Sequence, residues 1–141
     1  MVPLSAMKKE NLLNFSMLVL RVIIGVIFVA HGAQKLFGMF DGIGIEGTAR
    51  MMEGLGMPQP CLFASVGGYV EFIGGICLIL GILARWSAIA VMITVFIQLW
   101  KVNLIYGFFS QNGGIEYDLL AIGACVPIIL LGGGSWSVWD M

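Results

Sequence analysis

Glu71 stands inside the run Gly67-Gly68-Tyr69-Val70-Glu71-Phe72-Ile73-Gly74-Gly75-Ile76-Cys77-Leu78-Ile79-Leu80-Gly81. This lies in an apolar stretch long enough to reach across a bilayer. A carboxyl group at that depth must face protein or water and must have a partner. At helical spacing Gly67, Glu71, Gly74, Leu78 and Gly81 share one face, and glycines there let a second helix approach closely. Two partners can reach such a position: Arg21 from below, with two-pronged donors, and His31 from above. A carboxyl beside an imidazole can pass protons, so Glu71 and His31 are the candidate catalytic residues.

The other polar groups gather around the same depth. His31 and Lys35 lie one turn apart on one helix face, with Gln34 beside them. Thr94, Gln98 and Lys101 line a face of a later apolar segment, and Glu116 and Asp118 open the last one. At about 1.5 Å per residue, all but Arg21 fall in the outer half of a bundle. Lys35 and Lys101 are expected to meet Glu116 and Asp118. Each of these groups needs a hydrogen-bond partner, and apolar packing would be less costly. The expectation is therefore a small polar pocket holding a head group or ordered water. Its ligand-binding residues would be Arg21, Gln34, Lys35, Gln98, Lys101, Glu116 and Asp118. The competing reading is a network of structural ion pairs that locks the bundle.

Metal and haem chemistry find little support. Cys61, Cys77 and Cys125 form no close pair of the kind a zinc or thiol-redox site needs. A single histidine excludes a bis-histidine haem within one chain. No metal site and no intrinsic cofactor are expected.

The elements that must position these residues follow from composition. Of 141 residues, 60% are hydrophobic and 11% charged, against about 25% charged in a soluble domain. The net charge of −1 and the lack of a basic run exclude nucleic-acid binding. Four apolar segments approach bilayer length, at about 15–37, 61–83, 86–106 and 117–131, the last kinked by Pro127. The expected fold is all-α: one integral membrane four-helix bundle domain over residues 1–141. Only Ala84 and Arg85 would separate the second and third helices.

The first run is too long for a signal-peptide core, and no Ala-x-Ala site follows it, so it reads as a retained helix. Lys8, Lys9 and Arg85 fall on one side, opposed by Lys35 and Arg50. Trp86, Trp136 and Trp139 form an aromatic belt on that same side. This predicts a multi-pass protein of the cell (inner or plasma) membrane with both termini cytoplasmic. The glycine-rich connection from Gly38 to Pro60 is expected to hold a short helix over Thr48 to Leu55. Gly56 would stop it, and the whole connection would cover the pocket as a lid.

The motifs resemble one family. Leu20-Arg21, followed by an apolar run to His31-Gly32-Ala33-Gln34-Lys35-Leu36, is similar to the helix 1 signature of the DoxX family. Gly44-Ile45-Glu46-Gly47-Thr48, Leu55-Gly56-Met57-Pro58, and Glu71, Gly74, Gly75, Gly81 and Arg85 fit its later elements. So do Gly107-Phe108-Phe109, Gly113-Gly114 and Glu116-Tyr117. The resemblance covers about residues 17–137. It implies a four-helix membrane protein of the kind called an oxidoreductase or an oxidoreductase membrane subunit. Some relatives are linked to thiosulfate:quinone oxidoreduction.

Two functions are compatible with this reading. One is a membrane subunit of a quinone-linked redox system, with a quinone or small acid held among His31, Gln34, Lys35, Glu71 and Lys101. Protons would pass through Glu71 and His31, and a soluble redox partner protein would supply electrons, since no redox centre of its own is legible. Whether such a subunit is itself an enzyme stays open, as does a homo-oligomer. The other is a non-catalytic membrane anchor, or a small module that binds or transports a lipid or acid.

Overall fold

The computed structural model describes residues 2–139 and is all-helical, with five α-helices. They are α1 (Leu4–Phe37), α2 (Gly44–Gly54), α3 (Pro60–Leu80), α4 (Ala84–Gln98) and α5 (Glu116–Leu131). A π-helical turn, Leu99–Asn103, and a 3-10 turn, Leu104–Tyr106, extend α4 outward. Three helical stretches are long and apolar enough to cross a membrane: Leu4–Phe37, Pro60–Leu80 and Ala84–Tyr106. At 16 residues, α5 is shorter than these.

Each boundary has a local cause. Pro3, in extended conformation, precedes α1, which begins about three turns before the expected Phe15. Those added turns carry Lys8, Lys9 and Glu10, and they stay exposed. Gly38, at φ 67°, ends α1. Pro60 sits in the first turn of α3, where its missing N–H has no bond to lose. The second connection is Gly81 to Leu83 rather than Ala84 and Arg85; Gly81 takes φ 74° and stops α3 before the expected Leu83. The lid helix exists but starts at Gly44, four residues early, where the Thr48 hydroxyl donates to the Gly44 carbonyl at 2.7 Å. Thr48 and Ala49 are its buried residues.

The tightest seam is α1 against α3, which run antiparallel. A Cβ added at Gly25 would come within 2.6 Å of the Gly75 carbonyl oxygen. One at Gly32 would come within 2.5 Å of the Phe72 amide nitrogen. Gly68 lies against Leu36. The glycines that admit α1 are therefore Gly68 and Gly75, not Gly67 and Gly74. Gly74 faces Val91 of α4, and a Cβ at Gly67 would meet open space. One residue of misreading rotates the face by about 100°. Glu71 lies between Gly68 and Gly75, buried on the α1 side.

The core runs through Phe28 of α1, Leu78 of α3, Ala88 and Val91 of α4, and Cys125 and Ile128 of α5. The outward faces are apolar too: Ile23, Val26, Ile73, Phe96 and Leu120 are all exposed. An apolar surface of that extent calls for lipid around it. The C-terminal segment folds back onto the α3–α4 turn. Val138 N–H donates to Leu80, Trp139 N–H to Gly81, and Leu83 N–H to the Trp139 carbonyl. Trp136 packs edge-on to Phe15, with centroids 6.2 Å apart. Trp86, Trp136, Trp139 and the start of α1 thus share one end of the bundle.

Candidate functional site

Glu71 is 2% exposed, and its partner is Lys35: Nζ donates to Glu71 Oε1 at 2.6 Å. The same ammonium donates to Gln98 Oε1 at 3.0 Å. Three helices, α1, α3 and α4, thereby meet at one cation. Lys35 lies one turn beyond His31, so the face of α1 was legible, but the group that reaches across is the longer one. The second oxygen of Glu71, Oε2, is buried and has no hydrogen-bond partner among the described residues.

Neither expected partner of Glu71 occupies that role. Arg21 is fully buried about two turns lower, where it donates to the carbonyls of Leu78 at 3.2 Å and Trp136 at 2.9 Å. It holds the end of α3 and the returning C-terminal segment together. His31 lies against the Tyr117 ring of α5, with centroids 5.3 Å apart.

The Lys35–Glu71 pair forms one wall of a cavity of about 490 Å³ between α3 and α4. Thr94, Gln98, Lys101 and Asn103 extend the polar part of its lining. Its remaining walls are apolar, including Phe63, Val66 and Val70 from α3 and Ile93 and Ile97 from α4. Met51 and Met52 of α2, with Met57 after it, cover the space from the loop side. The volume falls in the range of small-molecule sites, about 300–1,000 Å³, which are mostly apolar with a few placed polar groups.

Of the expected site residues, the structure brings Glu71, Lys35, Gln98 and Lys101 to this cavity. It leaves the others elsewhere. Gln34 donates to the Phe40 carbonyl at 3.1 Å and secures the turn after α1. Glu116 accepts from the backbone N–H and hydroxyl of Ser110 and ties down the loop before α5. Asp118 is fully buried and accepts from Asn103 Nδ2 at 2.6 Å. The expected pairing of Lys35 and Lys101 with Glu116 and Asp118 is therefore not formed. Both carboxylates are held at α5 by the nearer donors Ser110 and Asn103, while Glu71 takes Lys35. Asp118 still has a buried oxygen, Oδ1, without a partner among the described residues, as does the Tyr117 hydroxyl.

Asn103 is the site residue that sequence reasoning missed. Five residues after Gln98, it belongs on another face of a regular α-helix. The π turn changes this: the Leu104 N–H donates to the Leu99 carbonyl, five residues back, so residues five apart come onto one side. Asn103 then touches the cavity and Asp118 together. A polar Asn in an apolar run was the available signal. No cluster of three potential metal-ligating His, Cys, Asp or Glu exists among the described residues.

An all-helical chain with lipid-ready faces, several bilayer-length helices and a charged pair at the wall of a cavity between helices is a multi-pass membrane protein. The chain belongs to the DoxX family, whose profile matches residues 16–104. It is 31% identical over 115 residues to the "Putative oxidoreductase CatD" of Bacillus subtilis, covering 82% of this chain and 78% of that one. It is 27% identical over 133 residues to an uncharacterized membrane protein of Mycobacterium tuberculosis, covering 87% of this chain and 78% of the relative. No solved structure matches it.

Proposed function

We propose that the chain is a membrane subunit of a quinone-linked redox system and that a quinone head group sits at the Lys35–Glu71–Gln98 wall. The observation that carries this reading is the buried Oε2 of Glu71, without a hydrogen-bond partner among the described residues, beside the Lys35 ammonium at the polar end of an otherwise apolar cavity. Lys35 and Lys101 can donate to a quinone carbonyl. Glu71 Oε2 can accept from the hydroxyl of the reduced ring. Quinone reduction takes up two electrons and two protons. Lys35 and Glu71 are placed to exchange protons with the ring, and a partner protein supplies the electrons. The relative named an oxidoreductase supports the class. His31 would serve as a relay behind the cavity, since it lies within electrostatic reach of Glu71, Lys35 and Asp118.

In this reading α5 is the fourth span, both termini face the cytoplasm of the cell membrane, and the cavity opens in the outer half. Lys8, Lys9 and Arg85 at the end carrying both termini support that orientation. At 16 residues, α5 is about 24 Å long, which a locally thinned bilayer accommodates.

A second reading is favoured by the methionines of the lid. Flexible thioether side chains suit adaptable binding surfaces, so the same cavity would serve a lipid- or acid-binding module without electron transfer. Gentle detergent purification followed by mass spectrometry of the bound small molecules separates the two. A quinone that is lost in Lys35→Met supports the redox subunit. A lipid or fatty acid retained through Lys35 supports the binding module. No bound molecule, and no stabilisation by an added benzoquinone or fatty acid, refutes both.

A further inference from the structure

The space beside Glu71 does not end at the polar wall. Val70 and Ala90 line that cavity, and the same two residues line a second depression of about 370 Å³ along the α3–α4 seam. This depression continues past Ile73 and Cys77 on α3 toward Leu83 and Trp86. Measured along α4 from Gln98 to Trp86, the joined space runs about 18 Å at 1.5 Å per residue.

Its chemistry changes along that length. The outer end holds Lys35, Glu71, Gln98 and Lys101. No charged residue lines the inner part. Its one aliphatic hydroxyl, Ser87, already donates to the Ile82 carbonyl at 3.3 Å. Thr94, at the transition, donates to the Val91 carbonyl at 2.7 Å. Both hydroxyls are turned to their own backbone, so apart from the Tyr69 phenol and the Cys77 thiol the walls there offer apolar contact. The seam also faces outward: Ile73, Ile93 and Trp86 are more than half exposed.

We propose that this seam is a tail-binding groove. The ligand is then an amphiphile whose oxygen-bearing head sits at the Lys35–Glu71–Gln98 wall and whose long hydrocarbon tail lies between α3 and α4 as far as Trp86. The inference rests on the head site proposed above and adds the class of molecule: one dissolved in the membrane, not delivered from water. Glu71 Oε2, without a partner among the described residues, points to a head with a hydrogen to donate. The shared lining residues point to a tail continuous with it. Lipid is as apolar as the groove, so tail burial adds little affinity. What the groove fixes is where the tail lies.

The test therefore reads position. The full chain in lipid nanodiscs is irradiated with a benzoquinone bearing a decyl chain that ends in a diazirine. A fatty acid and a headless alkane carrying the same photoreactive end are used in parallel. Labelling of the segments around Ile73–Cys77 and Leu83–Trp86 by a head-bearing probe is the expected result, and the ring or carboxylate probe that gives it identifies the head. Ile73→Trp and Cys77→Phe, which fill the groove without touching the polar wall, should abolish that labelling. The tailless counterpart of that probe, benzoquinone or acetate, should still raise the melting temperature of both variants. Labelling spread over the outer faces of α1 and α5, as with the headless alkane, overturns the groove. So does labelling unchanged by both substitutions, with the head site left standing. Failure of every head compound to stabilise or label the wild-type chain overturns the head site and the groove together.

Discussion

Lys35 links three helices through one ammonium, so removing it and removing Glu71 should have unequal effects. Lys35→Met leaves the Glu71 carboxylate, 2% exposed, without the donor that stood 2.6 Å away. Breaking a buried pair from one side costs about 3–5 kcal/mol, because a charge stays behind uncompensated. Glu71→Gln leaves the ammonium its bond to Gln98, and the Lys35 side chain is 21% exposed toward the cavity. The loss is then nearer that of one charged hydrogen bond, about 1.5–3 kcal/mol. Replacing both residues by Met removes the charges together and is expected to recover much of the loss, since apolar groups of similar volume often match a buried pair. At about 2–4 °C per kcal/mol, Lys35→Met should lower the melting temperature in detergent by roughly 6–20 °C. Scanning fluorimetry at one fixed heating rate reads all three variants. Strict additivity of the single substitutions, or a larger drop for Glu71→Gln than for Lys35→Met, would refute the reasoning.

Further outcomes follow from the packing. Gly75→Leu should cost at least about 1–3 kcal/mol through overpacking, since a Cβ there would come within 2.7 Å of the Gly25 carbonyl oxygen. Gly67→Ala, with open space at the same atom, should melt near the wild type. Arg21→Met should free the C-terminal segment, read as faster hydrogen exchange at the Val138 and Trp139 amides; unchanged protection there would refute the clamp. Asn103→Leu strips Asp118 of its 2.6 Å donor and should cost about 1–3 kcal/mol, seen as a lower melting temperature. In intact cells an impermeant thiol reagent should modify Gly113→Cys and spare Ser5→Cys; labelling of Ser5→Cys would overturn the proposed topology.

The helices could be read from the chain because apolar runs, glycines and prolines act locally. Gly38, Gly56, Pro60 and Gly81 punctuate the structure close to where their backbone preferences require. The depth of each polar residue was equally accessible, since rise per residue converts position into height. Azimuth was not. Arg21, His31 and Lys35 all lie on α1 at heights from which a long side chain can be imagined to reach Glu71, and only the packing of α1 on Gly68 and Gly75 selects Lys35. The same limit misassigned Glu116 and Asp118, whose nearest donors come from a loop serine and from an asparagine beyond a change of helical register. Thr94, Gln98 and Lys101 were grouped correctly because they precede or barely enter that change.

The π turn at Leu99–Asn103 has a consequence for how this region can vary. It keeps the angular phase between the inner and outer parts of one long helix. Removing a single residue there would restore regular winding with little change of phase beyond it, because four residues of α-helix turn about as far as five of π-helix. Asn103 would then stand four residues after Gln98, on the same face, and would keep its place between the cavity and Asp118. The wide turn thus absorbs one residue of length, so the chamber's upper rim can gain or lose a residue there while its polar side chains keep their bearing.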